Sequence, residues 1–188
     1  MIAALGKVTK GAAGACRSNC DTKMGLSGGG IRNEVVADRM IRLGVDRVIL
    51  GTSAAQNDQI AQGAIDQFGE KVIIGIDAKD GFVAVSGWQE RLDESAVSFA
   101  RRIVAMGARR IIFTDIARDG MLQGVNTAAL TEMLNAVPVP VIASGGVGTL
   151  DDVRAVRMFA APNLEGIIIG KALYAGTVKL QDAIATAA

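Results

Sequence analysis

Short apolar runs recur along the chain at Arg47-Val-Ile-Leu50, Val72-Ile-Ile-Gly-Ile76, Arg110-Ile-Ile-Phe-Thr114, Val139-Pro-Val-Ile-Ala143 and Gly166-Ile-Ile-Ile-Gly170. They do not alternate with polar residues, so they read as strands buried on both faces, as in a parallel sheet. Between them lie amphipathic stretches with helical spacing. Asn33 to Leu43 is stopped by Gly44, Asp58 to Phe68 follows, and Ser95 to Met106 is stopped by Gly107. Asn126 offers an N-cap for a helix to Ala136, ahead of Pro138, and Thr149-Leu-Asp-Asp152 opens another with capping-box spacing. A further strand at Lys23 to Ser27 brings the number to six. Regular β-then-α alternation predicts right-handed βαβ units on one parallel sheet. Residues 21–188 are therefore expected to form a partial (β/α) barrel of six βα units, an α/β fold. Residues 1–20 are rich in Gly, Ala and Lys and have no apolar period. They read as a helix remnant or as disorder.

Glycine follows nearly every strand, and its placement repeats. Gly28-Gly29-Gly30-Ile31 leads through one helix and one strand to Gly51-Thr52; Gly145-Gly146-Val147 leads the same way to Gly170-Lys171. In a parallel barrel the residues after the strands form the face on which sites are built. Glycine lets backbone N–H groups approach an anion, and a helix N-terminus adds partial positive charge. Two copies, with the Thr52 and Ser144 hydroxyls beside them, predict two phosphate cradles and hence a ligand carrying a phosphate at each end. The alternative for any single Gly-Gly pair is a tight turn.

Carboxylates stand at two of the strand ends. Asp77 closes an apolar strand and opens Asp77-Ala-Lys-Asp-Gly81, a costly place for a charge without a partner or a task. Asp115 and Asp119 follow Thr114 in Thr-Asp-Ile-Ala-Arg-Asp-Gly120. Asp80-Gly81 and Asp119-Gly120 are also ordinary turn pairs, and Asp115 reads equally well as a structural partner of a nearby Lys or Arg. The lone Trp88, after Gly87, suits a loop that stacks on a planar ligand.

Composition narrows the chemistry. Half the residues are hydrophobic and the formal charge is +1, which gives no footprint for nucleic acid or anionic lipid. No stretch approaches the ~20 apolar residues of a membrane span, and no secretory signal is evident, so a cytoplasmic protein is expected. The chain has no histidine, and its two cysteines, Cys16 and Cys20, lack further soft ligands for zinc. Acid–base chemistry must come from carboxylates, Lys, Tyr or Cys, and neither metal nor cofactor is expected.

The motifs Gly28-Gly-Gly-Ile-Arg32, Val48-Ile-Leu-Gly-Thr52, Gly75-Ile-Asp-Ala-Lys-Asp-Gly81, Gly87-Trp88, Thr114-Asp-Ile-Ala-Arg-Asp-Gly120, Leu122-Gln-Gly-Val-Asn126, Val141-Ile-Ala-Ser-Gly-Gly146 and Ile168-Ile-Gly-Lys-Ala-Leu-Tyr174 occur in this order. The chain closely resembles the phosphoribosylformimino-aminoimidazole carboxamide ribotide isomerases of histidine biosynthesis, which are (β/α)8 TIM barrels. The sister cyclase of the same pathway shares the phosphate motifs but not the Gly-Trp loop or the Gly-Lys-Ala-Leu-Tyr ending. The resemblance implies a cofactor-free Amadori rearrangement of a bisphosphorylated substrate. It makes Asp77 the proton donor, Asp119 a second acid or positioning group, and Thr114 their neighbour. It places Gly29, Gly30, Gly51, Thr52, Gly120, Ser144, Gly145, Gly146, Gly170, Lys171 and Trp88 on substrate or phosphate. Some relatives also isomerise phosphoribosylanthranilate, and nothing in the sequence decides that. Family members begin with two further strands, the first bearing the aspartate that acts as base. The sequence shows no counterpart, so it reads as an N-terminally truncated member with low activity by itself. A non-catalytic remnant that still binds phosphate is the alternative. Unpaired barrel edges at Lys23–Ser27 and Gly166–Gly170 would then invite self-association.

Overall fold

A computed structural model of the chain describes residues 2–4, 26–28 and 30–187. Six parallel strands carry the fold: β2 (Leu26–Gly28), β3 (Arg47–Leu50), β4 (Val72–Lys79), β7 (Ile111–Asp115), β8 (Val141–Ser144) and β9 (Leu164–Ile168). They lie side by side in the order β9-β8-β7-β4-β3-β2. Each is followed by helix: α1 (Glu34–Arg42), α2 (Thr52–Gln56) with α3 (Asp58–Phe68), α4 (Ala96–Ala105), α5 (Thr127–Ala136), α6 (Leu150–Arg157), and α7 (Lys171–Tyr174) with α8 (Leu180–Ala187). The sheet is not closed, as expected of part of a (β/α)8 barrel.

Local chemistry sets the element ends. The Asn33, Asn57, Ser95, Asn126 and Thr149 side chains each accept a hydrogen bond from a first-turn amide. Gly44 and Gly107, both at positive φ, end α1 and α4, and the bonds Val45 N to Met40 O and Ala108 N to Ile103 O close the last turns. The strand expected from Val139 begins at Val141, because Pro140 has no N–H to give to a ladder.

Two layers fill the interior. The helix-facing layer includes Val48, Leu50, Ile74, Ile76, Phe113 and Ile167, packed against Phe99, Ile103, Leu130 and Met133 of the helices. The other face of the sheet gathers one residue from each parallel strand: Leu26, Ile49, Ile73, Ile112, Ile142 and Ile168. Below that layer Glu165 of β9 accepts a hydrogen bond from Arg110 Nε, and its other oxygen lies 3.8 Å from Arg47 Nη1 of β3. β3 and β9 are separated by three strands in the sheet order, so these contacts exist only because the sheet curls. A register shift between β8 and β9 leaves Glu165 as the extra residue, which a bulge can re-aim. Burial, and then the nearby Arg110 charge, lower the Arg47 pKa.

Two features depart from the sequence expectations. The excursion after Asp77 is a hairpin. β4 runs on to Lys79, Asp80 and Gly81 turn at φ 53° and 83°, and β5 (Phe82–Val85) pairs β4 and then β6 (Glu90–Ser95). Positive φ at both central residues matches a hairpin turn. The second is at the β9 edge, expected to be unpaired. There β1 (Ile2–Ala4) pairs antiparallel with it, Ile2 opposite Ile168 and Ala4 opposite Gly166. Its ladder groups are thereby satisfied from within the chain. Residues 5–25, which hold the rest of the N-terminal segment, both cysteines and the start of the expected strand at Lys23, lie outside the described residues. No described helix is long and apolar enough to cross a membrane.

Candidate active site

The register of the parallel strands builds the site. Asp77 of β4 stands opposite Thr114 of β7, and Thr114 opposite Ser144 of β8. The three residues form one rung at the C-terminal ends of their strands. Counting by two from Ile73, Ile112 and Ile142, the rung lies on the inner face. A cleft of about 960 Å³ opens there. Ile49, Ile112 and Ile168 supply apolar wall, and Asp77, Thr114, Ser144, Gly30, Gly51 and Thr52 supply the polar and backbone lining. Thr114 is buried and Asp77 half-buried. Gly75 packs closely on this face, where a Cβ would come 3.1 Å from the Ile49 side chain.

The hairpin delivers its tip to the rung. Trp88 Nε1 donates to Asp77 Oδ2 at 2.7 Å, and the Ser86 amide donates to Thr52 Oγ1 at 3.1 Å. The indole meets Asp77 through its N–H edge, a contact that the stacking expectation did not contain. Asp115 faces away from this chemistry. Its Oδ1 accepts from the Ala117 amide and its Oδ2 from Asn126 Nδ2, so it pins the β7–α5 loop to the start of α5. Its partner is an amide side chain rather than the Lys or Arg anticipated. Asp119 is an exposed residue further along that loop. Partial burial pushes its carboxyl pKa up, and the negative charge of Asp77 adds to the shift.

The repeat in the sequence is a repeat in conformation. Gly30 and Gly146 adopt φ 74° and 92°, and the following Ile31 and Val147 are both buried. Gly51 and Gly170 precede α2 and α7 with nearly the same backbone angles, φ −110° and ψ −101° against φ −106° and ψ −97°. Of the residues singled out from the sequence, Gly30, Gly51, Thr52, Asp77, Thr114 and Ser144 line the cleft. Trp88 touches it through Asp77. Asp119, Gly120, Gly145, Gly146, Gly170 and Lys171 do not line it, although the Lys171 side chain passes 3.9 Å from where a Gly120 Cβ would stand. Gly29 lies outside the described residues. The sequence reading missed Arg32, Ser53, Gln56, Asn57 and Ser86, all of which line the cleft. Arg32 was visible as the last residue of the Gly28–Arg32 motif, and Ser53 as the neighbour of Thr52. Gln56 and Asn57 enter only because α2 is a single short turn. Among the described residues no three His, Cys, Asp or Glu stand together as a metal would need.

Comparison with known proteins gives this geometry a context. Residues 11–179 match the family model described as histidine biosynthesis protein. A 1-(5-phosphoribosyl)-5-((5-phosphoribosylamino)methylideneamino)imidazole-4-carboxamide isomerase of Acetivibrio thermocellus is 44% identical over 173 residues, covering 90% of this chain and 72% of the relative. The enzyme of that name from Thermoanaerobacter pseudethanolicus matches to the same extent. That of Chloroflexus aurantiacus is 46% identical over 160 residues, covering 85% of this chain and 65% of its own length.

Proposed function

The chain belongs to the histidine biosynthesis protein family, and we propose that it is an aldose–ketose isomerase acting on an aminoimidazole carboxamide ribotide with two phosphoribosyl groups. The single observation that carries this reading is the rung Asp77–Thr114–Ser144, flanked by two glycine-led helix starts of matching conformation. A substrate with a phosphate at each end needs two anion sites and acid–base groups between them, and the relatives' names describe such a molecule.

The reaction needs a proton delivered to the ribose ring oxygen, which opens the ring to a cationic Schiff base. Removal of the proton on the adjacent carbon then gives an enolamine, which collapses to the ketone. One carboxyl must be protonated at the start and one ionised. Asp77, which lines the cleft, is the proton donor in this reading, and Asp119, on the β7–α5 loop, is a second acid or a positioning group. One Asp77 oxygen receives the Trp88 indole N–H, which leaves the other for the substrate. Thr114, buried between Asp77 and Ser144, orients the sugar by hydrogen bonding.

The test is turnover of the aminoaldose by purified protein, followed by the change in its ultraviolet spectrum. Asp77→Asn is expected to lower kcat by about 10²–10⁴-fold, the usual weight of a general acid, and by more than Asp119→Asn does. It should also remove the alkaline limb of the kcat/KM profile, which a general acid sets. Loss of the acidic limb instead would assign Asp77 as base. Absence of both turnover and binding of a bisphosphorylated analogue would overturn the reading.

A further inference from the structure

Resting on that reading, we propose that Trp88 is a positioning residue: its indole N–H fixes the orientation of the Asp77 carboxylate, so that one oxygen is held and the other faces the substrate. The hydrogen bond from Nε1 to Oδ2 is 2.7 Å long, and Asp77 lines the cleft. A carboxylate at the end of a strand would otherwise turn about its terminal torsion, which is broad and soft.

The hairpin turn between β5 and β6 carries Trp88 to this contact. Ser86, Gly87 and Trp88 have φ of 55°, 65° and 70°, three left-handed residues in succession, two of them with side chains. Such a run is uncommon outside glycine, and it persists only where surrounding contacts hold it. Core packing does not hold it, because Trp88 is 46% exposed. Residues 86–89 are the turn closed by the Val85–Glu90 pair, and Ser86 N to Thr52 Oγ1 and Trp88 Nε1 to Asp77 Oδ2 fasten that turn to the cleft. The hairpin tip is thus fastened to the helix start after β3 at one point and to the rung at the other. The β4–β5 turn and the β5–β6 ladder, with Arg91 stacked 4.5 Å from the Phe82 ring centroid, make the base of the arm rigid. Both ties reach groups that line the cleft.

Trp88→Phe keeps a ring and removes the donor. The expected result is a loss of at least about tenfold in kcat with KM nearly unchanged, because the carboxylate is present but no longer held. The chain has a single tryptophan, so indole emission reports this contact without any turnover. In the ligand-free protein, emission should change as acid protonates Asp77, and Asp77→Asn should abolish that change while leaving the circular dichroism intact. If Trp88→Phe raises KM and spares kcat, the ring only stacks on substrate and the proposal fails. If emission titrates identically in Asp77→Asn, the hydrogen bond does not govern the indole and the proposal fails as well. An unmodified protein that shows no turnover would count against the isomerase reading, and the emission titration would still decide the contact.

Discussion

The two halves of the repeat share conformation but differ in what their glycines are for. Around Gly30 a Cβ would meet nothing within 4 Å, and the residue opens directly onto the cleft. Around Gly146 a Cβ would stand 2.1 Å from the Gly124 carbonyl oxygen; at Gly145 it would stand 2.6 Å from the Asp115 oxygen, and at Gly148 2.7 Å from the Leu122 oxygen. The second turn is pressed against the β7–α5 loop and hydrogen-bonded to it, Gly124 N donating to Gly146 O at 2.9 Å. The same Gly-Gly signature therefore serves backbone freedom beside an open cleft in one half and close packing of two loops in the other. A glycine motif states what the backbone must do and not why.

The sharpest test of that contrast is the pair Gly146→Ala and Gly30→Ala. Both substitutions put a side chain at positive φ, but only the first drives it into backbone. Urea unfolding should show a loss of about 3 kcal/mol or more for Gly146→Ala, from a clash that can be relieved only by moving a loop. For Gly30→Ala the loss should be about 1 kcal/mol, from the φ penalty alone. Equal losses would break the comparison.

Ligand binding comes next in size. Thr52 opens α2 at the cleft, and its hydroxyl accepts from Ser86 while its proton stays free to donate. Thr52→Val should weaken binding of inorganic phosphate about tenfold, as loss of a hydrogen bond to a charged group predicts. A smaller phosphate-induced rise in Tm would record it. An undiminished rise would place the anion elsewhere.

The caps differ in kind. Asn33 caps α1 by accepting from Val36 N. Thr149 caps α6 within a reciprocal box, Asp152 accepting from the Thr149 and Gly148 amides in return. Asn33→Ala and Thr149→Ala should each cost about 1 kcal/mol. Asp152→Ala should add a comparable loss in the second half only, because the corresponding first-half residue, Val36, returns no bond. Thermal unfolding of the three variants checks the ordering.

The smallest effect expected is one of pH. Asp119 lies on the loop that backs the second turn, and its pKa is raised above the ordinary 3.8 by partial burial and by Asp77. Folding therefore disfavours its charged form. That penalty is absent below the unfolded pKa and grows as pH rises through the folded one. Asp119→Asn should raise Tm slightly at neutral pH and not at pH values well below the aspartate range. A gain that is the same at both would trace to something other than charge.

The strands and helices were legible because their causes are local. β-branched runs have no room for helix periodicity, and Asn, Ser, Thr and Gly at the element ends satisfy or release specific backbone groups. The β6 strand was not legible. Glu90-Arg-Leu-Asp-Glu-Ser95 carries no apolar pattern, and it is a strand only because β5 offers it a ladder. The same holds for β1, which β9 recruits, and for Glu165, whose two arginines come from strands far away in sequence.

At the site the division is equally physical. The sequence by itself determined where the six parallel strands lie, that two glycine-led turns repeat, and that any acid–base work falls to carboxylates, Lys, Tyr or Cys where histidine is missing. Only the tertiary structure decided that Asp77, Thr114 and Ser144 share a rung, since register is a property of paired strands. It alone decided that Asp115 belongs to Asn126 and the loop, that Trp88 reaches Asp77 through its N–H, and that Asp119 feels the charge of Asp77. These are distances between residues remote along the chain, and a distance of that kind exists only once the sheet has curled.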